Sequence, residues 1–468
     1  MAQAHSGKLN RRRLIGAGLA LGAAGLAACA PAAGPAPTAA PAANPTATTA
    51  APVAAPVTKA GGATIRVLTA DFFYEPMILP ATAVFNDAQQ GKVFVKAEKA
   101  PDGWDTKVRQ QVRDKQVIWN SYAVDSFFNL YQRIKTGMVQ PLDDYIKSST
   151  VPYAKDFKDK YFSPNIYESG VFDGKFYIMP TKLNLAIVPH NVQMVQGVGY
   201  EKPPETWDEM RVMLAKIKDK YSKDDVLACS INADLWRAVG GIYCSLTDRP
   251  YTQEGMVDLD SKEWLDAMDL MKGLFTDKLA EPKLFNSPDE ITTWQKGKIA
   301  VIWNYPSWLL LGQQAWGRNN YTAVNMTKKS KGDKNRTWMH VDGTYMFANV
   351  EHPQETVDWM LSLLGPEGEA ADTFARGTIS RSGSPMFKSH IEGKIVKDNP
   401  DVPWLYNTYQ MVPASTAAPL SPLHFLVDAK GKKYLPAYFR GEADAKTTIA
   451  KIKEEVNAEK DKMLAASG

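Results

Sequence analysis

"WQKGKIAVIWNYPSW" (294–308) contains a buried-looking strand, Ile299 to Trp303, that gives way to a helix within a few residues. Trp303, Tyr305 and Trp308 crowd that turn, although indole and phenol rings are bulky side chains to place there. In open α/β sheets, ligands sit beyond the carboxyl ends of strands. The stretch therefore reads as such an edge, with rings near a ligand.

The surrounding sequence has the matching rhythm. Upstream, "SPDEITTWQKGK" carries helix punctuation: Ser287 as N-cap, Pro288 at the first helical position, Glu290 closing a capping box, Gly297 past the end. "PPETWDEMRVMLAKIKDKY" has a second box in Thr206 and Glu209, with Trp207, Met210, Leu214, Ile217 and Tyr221 on one face. "VLACSIN" (226–232) is a strand running into "ADLWRAVGGIYCSL". Toward the N-terminus, the strands "TIRVLTA" (64–70), "KVFVKAE" (92–98) and "YAVDSFFN" (122–129) alternate with helices. This βαβ order predicts an α/β fold with a parallel sheet flanked by helices.

Two stretches break the rhythm. "GKFYIMP" (174–180) and "LNLAIVPH" (183–190) are too close for a crossover helix and lack tight hairpin chemistry, so they predict an extended path from one sheet into another, with a lobe boundary near Thr181. "WMHVDGTYMFAN", after a lysine-rich loop (328–336), predicts a second crossing. Helices dominate from Pro353 onward.

The N-terminus carries an address. "NRRRLIGAGLALGAAGLAACAP" has a basic start, an apolar stretch from Leu14 and then Leu26-Ala27-Ala28-Cys29. It is built as a secretory signal, too short and too rich in Gly and Ala for a good membrane span. Leu-Ala-Ala-Cys resembles the lipobox of bacterial lipoproteins, which implies cleavage before Cys29 and its lipidation; an ordinary signal peptide is the alternative. The arginine pair also partly fits a twin-arginine signal. Residues 29–62 are nearly all Ala, Pro, Thr and Gly, a tether without enough apolar surface to fold, reaching up to roughly 100 Å. The formal charge of +4 is carried by Lys8 and Arg11–Arg13, so the mature chain is neutral and nothing suggests nucleic acid as partner. The body of about 400 residues is large enough for two cores. Cys229 and Cys244 are either a disulfide or packed thiols.

These motifs together resemble family 1 extracellular solute-binding proteins, the maltose-binding-like receptors of ABC importers. The resemblance rests on "VFNDAQ", "GKFYIMP", "PPETWDEM", "WQKGKIAVIWNYPSW", and "PQETVDWMLSLLGPEGEAADTFARG" followed by "SRSGSP", in that order. It implies a two-lobed periplasmic-binding-protein-like fold (type II) with three interlobe crossings and a helical C-terminal tail. Lobe 1 would comprise 63–182 plus 343–380, and lobe 2 would comprise 183–342 plus 381–468, with a third crossing near Arg381. A cleft between the lobes would close on a small-molecule ligand, and permease subunits of an ABC transporter would recognise the closed form of a monomer.

The resemblance places cleft candidates at Asp71 and Phe72 after the first strand, Trp104 after the second, and Asn129 after the third, where Phe128 reads as core. Asn184 and Asp342 stand on the first two crossings. Trp236, Trp303, Tyr305 and Trp308 belong to lobe 2, the alternative for Trp303 and Trp308 being a place in the core, with Arg381 near the third crossing and Phe425 in the tail. Indole faces suit the C–H face of a pyranose, so the expected solute is an oligosaccharide. One platform covering about 50 Å² contributes roughly 1 kcal/mol, and micromolar binding requires about 8 kcal/mol, so several must act together.

A polysaccharide-active enzyme is the main alternative, but it needs two facing carboxylates, and no feature pairs Asp71 with Asp342. The six histidines are scattered without metal-ligand spacing, and no Gly-x-Ser-x-Gly elbow is present. No cofactor is expected. A ligand-sensing lipoprotein would share the fold.

Overall fold

The computed structural model describes residues 62–127, 130–232, 235, 237–285, 287–381, 383–421 and 423–465, with only the backbone of Phe425 and of 463–465. The signal, Cys29 and the tether up to residue 61 lie outside these residues, as do Phe128, Asn129 and Trp236.

The first sheet grows from the βαβ units. Strands β1 (Ala63–Thr69), β2 (Val93–Lys99) and β3 (Ser121–Ser126) run parallel, with β1 between the other two. Helix α1 (Leu79–Gln89) joins β1 to β2, and α2 (Trp104–Asp114) joins β2 to β3. Two later strands complete the sheet: β4 (Met179–Leu185) and β9 (Met339–Met346). The order is β2-β1-β3-β9-β4, with β9 antiparallel to both neighbours. All residues of β4 and β9 are buried, as expected for inner strands covered on both faces.

The second sheet contains β5 (Val188–Asn191), β6 (Leu227–Ile231), β7 (Ile299–Trp303) and β8 (Tyr321–Val324), in the order β8-β5-β7-β6. β6 and β7 are parallel, and their carboxyl ends lead to Asn232 and Asn304. Helix α3 (Trp207–Tyr221) precedes β6, α4 (Asp289–Gln295) precedes β7, and α5 (Pro306–Trp316) follows it.

The chain passes between the sheets where the two extended stretches predicted it would. The first passage falls at Ala186–Ile187 rather than at Thr181. Thr181 lies inside β4, Ala186 N–H donates to Trp338 across the strand pair, and Ile187 pairs with Asn304 of the second sheet. The break comes this late because β4 stays paired with β9, through one bulge at Thr181, as far as Leu185. Helices α6 (Pro353–Leu364) and α7 (Glu369–Ser380) return to the first sheet, with α7 packing on α1. Beyond them, Leu183 and Ser384 exchange backbone hydrogen bonds at 2.9 and 2.8 Å. This fastens a third passage to the edge of β4. Helices α8 (Leu423–Phe439) and α9 (Ala445–Ala465) form the tail.

Two expected caps differ in detail. Thr206 precedes α3, but its hydroxyl bonds the Glu209 carboxylate (3.0 Å) instead of a backbone N–H. Glu290 closes no box, because it is buried and accepts from Ser230 (2.6 Å) and Asn232 (3.0 Å), tying α4 to the end of β6. Cys229 and Cys244 are free buried thiols whose pKa values are raised by burial.

Candidate functional site between the sheets

A strand order of 2-1-3 reverses direction between β1 and β3, and such a switch point opens a crevice beyond the carboxyl ends. Here those ends are Asp71 to Phe73 after β1 and Ser126 to Phe127 after β3. The crossing strands form the floor. Lys182 and Asn184 lie two apart on β4, and His340 and Asp342 lie two apart on β9, so each pair shares a face. The register sets Lys182 opposite Asp342 and Asn184 opposite His340, with Ser126 of β3 on the other side of Asp342.

The four polar side chains are buried and in contact with one another. Lys182 Nζ donates to Asp342 Oδ2 (2.6 Å) and to Asn184 Oδ1 (2.8 Å), and Asn184 Nδ2 donates to Asp342 Oδ2 (3.0 Å). His340 Nε2 lies 3.1 Å from Asp342 Oδ1. Burial raises the Asp342 carboxyl, but the Lys182 charge and the contact with His340 outweigh it and hold the pKa below the usual carboxylate range. Lys182 also lies 5.3 Å from the ring centroid of Phe73.

The wall beside β3 is a second network. Arg133 pairs with Asp125 and Asp105, donates to Tyr345 Oη (2.6 Å), and lies 4.6 Å from the centroid of Trp104. Tyr345 Oη donates to Asp125 at 2.9 Å. Val124, just before Asp125, has φ of +57°, a strained value for a β-branched residue, and its N–H bonds Thr344 Oγ1. Two cavities are lined by residues from both sides of the crossings. One, of about 330 Å³, has Tyr131 and Phe172 facing Gly255 and Leu420. The other, of about 530 Å³, has Ile379 and Ser380 of α7 facing Leu310 and Gln313 of α5.

The residues expected at a cleft separate into groups. Phe72 is 53% exposed, with the guanidinium carbon of Arg381 over its ring, 4.7 Å from the centroid. Asp71 is exposed and pairs with Lys99 at 2.6 Å. Trp104 is half-buried against Tyr122, with ring centroids 4.5 Å apart. Asn184 and Asp342 are in the floor, where each other and Lys182 occupy their hydrogen bonds. Tyr305 is buried at the start of α5.

Trp303 and Trp308 depart from expectation. Trp303 is fully buried, stacked on Trp207 at 5.2 Å, and Trp308 is buried with its carbonyl accepting from Trp294 Nε1 (2.7 Å). The alternation along β7 turns Trp303 into the layer covered by α3, and neither ring offers a face to solvent. The side chain of Phe425, with Asn129 and Trp236, lies outside the described residues.

Sequence reasoning passed over Lys182, His340, Arg133, Tyr131 and Phe172. For the first two a signal existed: polar residues at a spacing of two inside apolar strands, in "TKLNLAIV" and "MHVDGTYM".

The model of the bacterial extracellular solute-binding protein family matches residues 98–370, more than half of the chain. The chain belongs to this family. As an extracellular solute-binding protein it works outside the cytoplasm, in a family of binders rather than enzymes. It is 21% identical over 389 residues to a probable ABC transporter-binding protein of Deinococcus radiodurans, covering 76% of this chain and 88% of that one. Among solved structures, the sugar-binding protein MalE of Xanthomonas citri superposes with a TM-score of 0.69 at 13% identity, covering 86% of this chain and 100% of that one. The cyclic alpha-maltosyl-1,6-maltose binding protein of Arthrobacter globiformis gives 0.68 at 16% identity, covering 85% and 99%. At such identities the likeness establishes the two-lobed fold of this solute-binding protein, with its crossings and helical tail.

Proposed function

We propose that this chain is a lipid-anchored receptor that binds a carbohydrate, an oligosaccharide by preference, and delivers it to an ABC importer by closing its lobes. The observation carrying this reading is the pair of sheets whose carboxyl-terminal edges meet around three crossings, with Phe72 exposed at the switch point of one of them. A crossing of this kind bends without breaking either core. A ligand touching both sides favours the closed state through its differential affinity for that state. The solved relatives include binders of maltose-type sugars, which supports a sugar as cargo. The curated relative named as an ABC transporter-binding protein supports the importer as partner. The lobes are assigned as in the sequence reading, with the first passage moved to Ala186.

The test is a thermal-shift screen of neutral and acidic oligosaccharides. A ligand at 100 times its Kd should add about 2.7 kcal/mol of stability, and a screen in which no carbohydrate raises Tm would sink the reading. The anchor is tested separately. Cys29→Ser should leave the protein exported but released from membranes, and a variant that stays with membranes in high salt would reject the lipobox.

A further inference from the structure

Around the switch point, every carboxylate named above has a cation. Asp71 shares Lys99 with Glu75, Asp125 and Asp105 share Arg133, and Asp342 has Lys182. Arg381 is the exception on the cationic side. Its backbone N–H closes α7, but among the described residues nothing accepts a hydrogen bond from its guanidinium and no carboxylate pairs with it. Among the described residues its guanidinium lies over the ring of Phe72, a half-exposed residue.

That arrangement has a chemical consequence. A guanidinium held over an aromatic face by cation–π attraction spends none of its N–H donors on that contact, and they form a planar fork matched to two oxygens of one group. The stack restricts the side chain before any ligand arrives, so less freedom is lost on binding. The guanidinium sits where the third crossing begins and over Phe72, three residues past the end of β1 at the crevice edge. Lysine on the same stem would offer a point charge without the planar fork.

We infer that the solute carries an oxyanion, a carboxylate or a phosphate ester, that docks on the free edge of Arg381. Resting on the carbohydrate reading above, the cargo is then an acidic oligosaccharide, one containing uronic acid. Arg381 acts as the residue that selects it over neutral sugars.

The experiment is calorimetric titration of the exported protein with digalacturonate, dimannuronate and cellobiuronate, each beside its neutral counterpart, and with glycerol 3-phosphate. At least one uronate should bind about 10- to 100-fold more tightly than its neutral counterpart, the ratio expected of a charge-assisted bidentate contact. The preference should shrink with added salt. Arg381→Gln should collapse it, and Arg381→Lys should restore only part. A neutral sugar binding as tightly as its acidic partner overturns the inference and leaves the carbohydrate reading standing. Arg381-dependent binding of glycerol 3-phosphate alone supports the oxyanion and overturns the carbohydrate reading. Binding of none of the acidic probes overturns the inference.

Discussion

The ammonium of Lys182 is buried, and a buried cation persists only where its partners hold it in place. The groups around it come from all three passages. Lys182 stands on the first, Asp342 on the second, and Gly383 on the third, lying directly under the Lys182 stem. A Cβ at Gly383 would meet Lys182 Cε at 2.5 Å, Cγ at 2.7 Å and Cδ at 2.8 Å. A free lysine would simply swing aside. This one cannot without leaving Asp342 or Asn184, so its flexibility is already spent. Gly383→Ala should therefore lower stability by about 1–3 kcal/mol, the usual range for overpacking. In an Asp342→Asn background the stem has less to lose, and the same change should be milder. A double-mutant cycle on apo Tm or denaturant midpoint measures this coupling. Strict additivity would show that Gly383 does not act through the ion pair.

At the scale of elements, the strands and the passages were legible, because they depend on local pattern. β1, β2, β6 and β7 follow apolar runs with clear ends, and the crossings follow from extended stretches too close together for a helix. The aromatic assignments depended on something local pattern does not carry. Whether Trp303 faces a cleft or a core depends on the helix laid over β7, and α3 begins about ninety residues earlier in the chain. Trp207 on that helix, read correctly as the start of an apolar face, is the ring that covers it. Phe72 escaped this fate because it lies past the end of its strand, where the Arg381 guanidinium at the end of α7 is placed over its ring and the residue stays half-exposed. The cap at Glu290 failed for a related reason: a box residue and a buried acceptor look alike until Ser230 and Asn232 arrive from β6. Charge pairing was hidden too, since Lys182 and Asp342 are 160 positions apart.

Across the whole molecule, three buried histidines link stability to pH. Burial pushes His190 on β5 down to about 4, against the raising effect of a hydrogen bond to the Val188 carbonyl. It pushes His390 to about 4 despite Asp372, and His424 on α8 to about 3, where the nearby His340 adds to the shift. Each is neutral in the fold but takes up a proton near 6.5 once unfolded. The unfolded chain thus binds more protons between roughly pH 6.5 and 4, and stability rises with pH across that window. The contribution is complete above 6.5 and is lost as pH falls toward 4. Asp342, held below the usual range, adds a further loss only in more acidic solution, below its unfolded value. Asp125 acts in the opposite sense, because burial leaves its pKa raised in spite of Arg133. Three histidines against one carboxylate leave the upper window dominated by the imidazoles. Apo Tm should be level from about pH 8 to 7 and then fall steadily to pH 4.5. His190→Asn and His424→Asn, whatever they do to Tm at neutral pH, should each flatten that slope, since asparagine takes up no proton. A wild-type Tm that holds constant from pH 7 to 4.5 would mean that these imidazoles are not buried neutral in the folded protein.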